Sequence, residues 1–157
     1  MLLPVEQAAA RPPFRIDQGG VGGVALGSSA AAAERALGPG LREPAGGGLV
    51  RLRFPAREST VLLQPATGRV IGIVTWSALD TTGANVGPCS RAATVRAAYG
   101  NRLTAVAGGG GITALRLGRI VFAVGADGFV RAVLVADAAR VPPLAALEAP
   151  ACGQPSV

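Results

Sequence analysis

The chain carries the same punctuation twice. Gly23, Gly27 and Gly68 recur sixty positions later as Gly83, Gly87 and Gly128, each in matching surroundings. Gly27-Ser-Ser, an alanine-rich stretch and Ala36-Leu37-Gly38 answer Gly87-Pro-Cys-Ser, a second such stretch and Ala98-Tyr99-Gly100, with two extra residues in the second copy. Glycines 46 to 48 lead into LVRLRF and glycines 108 to 111 into ITALRL, and GRVIGIVT (68 to 75) answers GFVRAVLV (128 to 135). Three features in one order point to a tandem duplication. A unit of that length lies near the lower limit for burying its own core, so both units are expected to share one core within the 157 residues.

Within each unit the local signals are the same. Ser29 is a helix cap, Gly38 a left-handed stop followed by Pro39, and Ala30, Ala33 and Leu37 share one face between them. In the second unit Ser90 takes the cap, Gly100 the stop, and Ala92, Val95 and Tyr99 the inner stripe. After each helix the pattern predicts a loop of about ten residues and then three strands, at 49 to 54, 60 to 64 and 69 to 76, and again at 112 to 117, 119 to 124 and 129 to 136. The expected fold class is therefore α+β: two tandem helix-loop-three-strand units forming one antiparallel sheet, with short helices packed on one face. Residues 1–15 read as a flexible arm, 16–80 as the first repeat, 81–140 as the second and 141–157 as a C-terminal tail.

Half of the residues are apolar and only 4% aromatic, so the interior must be built from Val, Leu, Ile and Ala. The basic balance consists of fifteen Arg with no Lys and no His. A sequence pI near 11.2 raises a nucleic-acid partner. The Arg are scattered, and the aromatic rings that would stack on bases are few, so nucleic acid is not the expected partner. Without His the commonest general base and metal ligand is gone. Gly20-Val-Gly-Gly-Val-Ala25 matches a loose dinucleotide fingerprint, but no strand clearly precedes it and the acidic residue that should follow is missing. A Walker loop lacks its lysine, Ser28, Ser29 and Ser90 lack a base, and the carboxylates are sparse and unpaired. No catalytic residue, metal site or cofactor is expected.

The two cysteines, Cys89 and Cys152, read as a disulfide that pins the tail to the start of the second helix, with two unrelated buried thiols as the alternative. A bridge implies an extracytoplasmic location. No export signal is visible at Met1-Leu-Leu-Pro, and no apolar stretch is long enough for a membrane span.

The strand pattern places Arg51, Arg53, Arg116 and Arg131 on the sheet face away from the helices, together with Ile71, Ile73, Val133 and Val135. Such a mixture of guanidinium and aliphatic surface suits an acidic protein partner or an anionic ligand, and equally a solvated sheet face. Trp76, at the end of a strand, is either an interface anchor or a packing residue between the repeats.

GVALGSSAAAAERALGPG, ATGRVIGIVT and TTGANVGPCSRAATVRAAYG, across residues 20 to 136, resemble small secreted bacterial proteins of tandem helix-plus-strands type. The architecture is similar to that of the β-lactamase inhibitory protein family and, as a single unit, of SmpA/OmlA-type outer-membrane assembly lipoproteins. The resemblance implies an extracytoplasmic protein whose continuous sheet is used for protein contact. The first expectation is thus a non-enzymatic secreted or cell-envelope protein that binds another protein through its sheet face. The alternative is a basic polyanion- or nucleic-acid-binding protein, and the third an enzyme whose site only the fold assembles.

Overall fold

The computed structural model describes residues 14–137 and Cys152. Strand accounts for 46% of the described residues and helix for 20%, which corrects the expected α+β class of two helix-loop-three-strand units to a mostly β protein. A small meander of β1 (Ile16–Asp17), β2 (Gly20–Val21) and β3 (Val24–Ala25) precedes helix α1 (Ala30–Leu37). Four strands follow: β4 (Leu41–Ala45), β5 (Leu49–Phe54), β6 (Ser59–Gln64) and β7 (Arg69–Thr75). A linking segment, 76–91, leads to α2 (Ala92–Tyr99), β8 (Thr104–Gly109), β9 (Ile112–Leu117), β10 (Ile120–Val124) and β11 (Val130–Ala136). The last eight strands form one antiparallel sheet in the order β4-β5-β6-β7-β11-β10-β9-β8, so the two meanders meet where β7 pairs with β11.

The two strands of the large sheet that the pattern misses, β4 and β8, are its outermost strands. Among the described residues each has a neighbour on one side only, and neither LREPA nor TAVAGG shows the apolar alternation that marks a half-buried strand. The small sheet was hidden in a glycine run. Gly20, part of the loose dinucleotide match, lies so close to β3 that a Cβ there would stand 2.0 Å from the Val24 carbonyl oxygen. Gly20 thus serves close backbone approach within the meander, while Gly22 takes a positive φ of 60° against the Phe14 ring.

Helix α1 forms as its sequence suggests, with Ser29 Oγ accepting the Ala32 N–H at 3.1 Å and Gly38 ending it at φ 90°. In α2 the expected cap is corrected. Arg91 occupies the cap position, and Ser90 Oγ instead accepts the Gly87 N–H at 3.0 Å. Both helices enter the sheet through the same pair of hydrogen bonds: the Gly27 N–H donates to Val70 O and the Val70 N–H to Ser28 O, as Cys89 donates to Val130 O and Val130 to Ser90 O.

The main core lies between the large sheet on one side and the helices and small sheet on the other. Leu52, Val61, Ile73, Val133, Phe122 and Leu115 from the sheet meet Ala33, Leu37 and Val95 from the helices and Ile16, Val21 and Val24 from the small sheet. Gln18 fastens that small sheet to the β9–β10 turn, donating to Leu117 O at 2.8 Å and accepting the Arg119 N–H at 2.7 Å. A second cluster, Val74, Ala114, Val121, Ala123, Ala132, Leu134 and Ala136, covers the opposite face. Burial on both faces explains why β7, β10 and β11 read as continuous apolar runs.

Candidate protein-binding face

Two bulges decide which side chains share the face away from the helices. Leu62 pairs with Gly72 and Leu63 with Val70, which leaves Ile71 as the extra residue; Ala123 pairs with Ala132 and Val124 with Val130, which leaves Arg131 in the matching place. An extra residue shifts the in-and-out alternation by one position. Ile73, Val133 and Val135 therefore belong to the core beneath the helices, and their expected place beside the arginines is corrected. Arg131 is half-buried on its bulge, its Cδ 2.7 Å from where a Cβ on Gly125 would stand.

The remaining arginines do lie on this face. One register row runs Leu41, Arg53, Thr60, Val74, Leu134, Val121, Arg116, Thr104 from edge to edge. Arg53 and Arg116 flank its apolar centre across five inter-strand steps, a separation of roughly 24 Å. They differ in electrostatic state. The Glu43 carboxylate on β4 engages Arg51 at 2.8 Å and Arg53 at 3.1 Å, whereas Arg116 forms no ion pair among the described residues. Trp76 follows β7 directly and packs half-buried against the second cluster, as does Ile112; the indole N–H of Trp76 is buried and has no hydrogen-bond partner among the described residues.

The centre of this face is not open. Leu134 is 0% and Val121 1% exposed, while Leu41, at the β4 edge, is 55% exposed and Val106, on β8, 50%. The exposed part of this face is its rim, where Arg116, Thr104 and Val106 lie at one side and Leu41 at the other. The buried centre carries its own prediction: Leu134→Ala should lower the free energy of unfolding in urea by about 3 kcal/mol, as for a fully enclosed leucine. A loss below about 0.5 kcal/mol, ordinary for a solvated position, would show that this face is not a second core.

The residues weighed for chemistry serve local structure. Ser28 Oγ donates to Ala25 O at 2.6 Å, Ser29 caps α1, and Ser90 accepts from Gly87. Among the described residues no three His, Cys, Asp or Glu stand together as a metal site. Several arginines are held within the molecule: Arg57 over Phe14, Arg91 over Phe129 and Arg102 over Tyr99, with guanidinium-to-ring distances of 5.9, 5.0 and 5.7 Å. Arg69 donates to Gly27 O at 3.2 Å. Cys89 and Cys152 form the disulfide, with Cα atoms 5.5 Å apart, while the remainder of the tail beyond Asp137 lies outside the described residues. Most of the expected N-terminal arm does too; of it, Phe14 packs on the main core and Arg15 bridges to Thr81. No helix among the described residues is long and apolar enough to cross a membrane.

Sequence reasoning overlooked the β8 edge because residues 104–109 read as loop. The available signal was the glycine run at 108 to 111, which marks a hairpin turn into β9 as well as a loop. No protein-family model, curated protein or solved structure matches the chain.

Proposed function

We propose that the chain is a non-enzymatic protein of an oxidising, extracytoplasmic compartment that binds another protein at the rim of the sheet face opposite the helices. The carrying observation is Arg116, a half-buried guanidinium without an ion pair among the described residues, set beside exposed Thr104 and Val106. A cation held by a rigid sheet next to apolar surface suits a carboxylate on a partner. The disulfide supports the compartment. The resemblance of the sequence to the β-lactamase inhibitory protein and SmpA/OmlA families belongs to the same proposal. The polyanion alternative draws less support, since five of the arginines, at 51, 53, 57, 69 and 91, are engaged within the molecule.

The test is recovery of partners from envelope and culture fractions by the wild type, by Arg116→Gln and by Arg51→Gln/Arg53→Gln. Arg116→Gln should weaken capture of a partner about tenfold, the size expected for one interfacial charge contact, with an unchanged circular dichroism spectrum. The paired Arg51/Arg53 variant should change it less. Equal recovery of the same partners by all three proteins would overturn the proposed surface.

A further inference from the structure

The two edges of the large sheet are built differently. On β4 the sequence LREPA places Pro44, which has no N–H to offer, beside charged Arg42 and Glu43, and Glu43 is tied to Arg51 and Arg53. Proline and charge are the usual protection of an edge against pairing with another chain. On β8 the sequence TAVAGG has neither. Thr104, Ala105 and Val106 are all exposed, and among the described residues β8 pairs only with β9. Only the irregularity between Ala107 and Gly109 interrupts it, at its far end. Half of the backbone N–H and C=O groups of such a strand point away from the sheet.

Charge identifies what could use that edge. From Thr81 to Ala126 the chain contains five arginines, at 91, 96, 102, 116 and 119, and no aspartate or glutamate. Arg102, two residues before β8, is exposed, and Arg116 stands opposite Thr104 on the neighbouring strand. Two copies joined edge to edge would bring two such basic regions together without compensation. An acidic strand would meet guanidinium groups at both.

We propose that the open edge of β8 takes up an extended acidic segment of another protein as a ninth strand of the sheet. Main-chain hydrogen bonds to β8 supply the affinity, and carboxylates beside Arg102 and Arg116 supply selectivity and register. Such pairing engages the edge and its backbone rather than the sheet face. It can therefore fail while the contact at the sheet face stands, and the reverse.

The probe is a fluorescein-labelled decapeptide of alternating valine and glutamate, titrated with the intact, oxidised protein and read by fluorescence anisotropy. Its controls are the valine-lysine counterpart and two forms N-methylated at every valine or at every glutamate. The acidic peptide should bind at least tenfold more tightly than the basic one, and at least one N-methylated form should lose at least tenfold in affinity. Hydrogen exchange of the amides from Thr104 to Ala107 should slow at least tenfold on binding, with those of β4 unchanged. Equal affinity of all the peptides, no binding, or protection elsewhere than on β8 overturns the proposal. Sedimentation of the protein alone decides the other occupant: a dimer that protects the β8 amides assigns this edge to a second copy and also overturns it.

Discussion

Removing the Cys89–Cys152 bridge is expected to lower the stability of the protein by about 4 kcal/mol, the chain-entropy value for releasing a loop of this size. The two cysteines are 63 residues apart, and the closed loop holds α2 and all four strands from β8 to β11. Cutting it frees the unfolded chain more than the folded one. Cys89 adds a second term. Its N–H bonds Val130 O where Gly27 bonds Val70 O, and it shares the left-handed conformation, with φ 69° against 83° for the glycine. A side chain in that region costs roughly 1–2 kcal/mol relative to glycine. The bridge is the reason for a cysteine there. Cys89→Ser/Cys152→Ser keeps that strain and should lose the full amount in urea unfolding, while Cys89→Gly/Cys152→Ser should recover roughly 1 kcal/mol of it. Intact mass with and without reductant verifies the starting state. A double serine variant as stable as the oxidised wild type would refute the stabilising role, and equal stability of the two double variants would refute the strain.

Asp80→Ala should destabilise the fold by about 4 kcal/mol, because it leaves the buried Thr75 hydroxyl and the partly buried Phe14 N–H without their acceptor. Asp80 is 0% exposed in the linking segment. Its Oδ2 accepts the Thr75 hydroxyl at 2.6 Å and its Oδ1 the Phe14 N–H at 3.0 Å, so one carboxylate joins the end of β7 to the chain entering β1. Thr75 Oγ1 in turn accepts the Ser77 N–H at 3.2 Å. The backbone continues the junction, with Thr81 donating to Phe14 O and Ile16 to Thr81 O. In a low-dielectric interior such a network gains most from being complete and loses most when one acceptor goes. Asp80→Asn keeps one carbonyl oxygen and should lose about half as much. Leu79→Ala, one residue away and 50% exposed, is the control and should stay within about 0.5 kcal/mol. Coupling between Asp80→Ala and Thr75→Val in a double-mutant cycle should reach at least about 1 kcal/mol. An Asp80→Ala loss below that size would mean the carboxylate is dispensable.

The parts legible in the sequence are those with two independent local signals. Helix α1 has both a cap at Ser29 and a stop at Gly38, and the inner six strands of the large sheet carry apolar runs punctuated by Gly68 and by Asp127-Gly128. The cysteine pair was legible as well. Strands β4 and β8 were not, since an edge strand need not bury the residues that would reveal it. The fate of the arginines was only half legible. Arg51, Arg53 and Arg116 follow the alternation of regular strands, whereas Arg131 and its neighbours follow a bulge that becomes visible only once β10 and β11 are paired.

Sequence by itself determined helix α1, the six inner strands of the large sheet, a core of Val, Leu, Ile and Ala, and the scarcity of groups for acid–base or metal chemistry. These follow from periodicity, cap chemistry and composition, which act within a few residues of each position. Tertiary structure alone decided that the strands join at β7 and β11, that the far face of the sheet is a second core, and that Glu43 occupies Arg51 and Arg53 while Arg116 forms no ion pair among the described residues. It also decided that, among the described residues, β8 has a neighbour on one side only. Each of these depends on which segments meet across long stretches of chain, and strand pairing is fixed by complementary burial and register rather than by any residue's own preference.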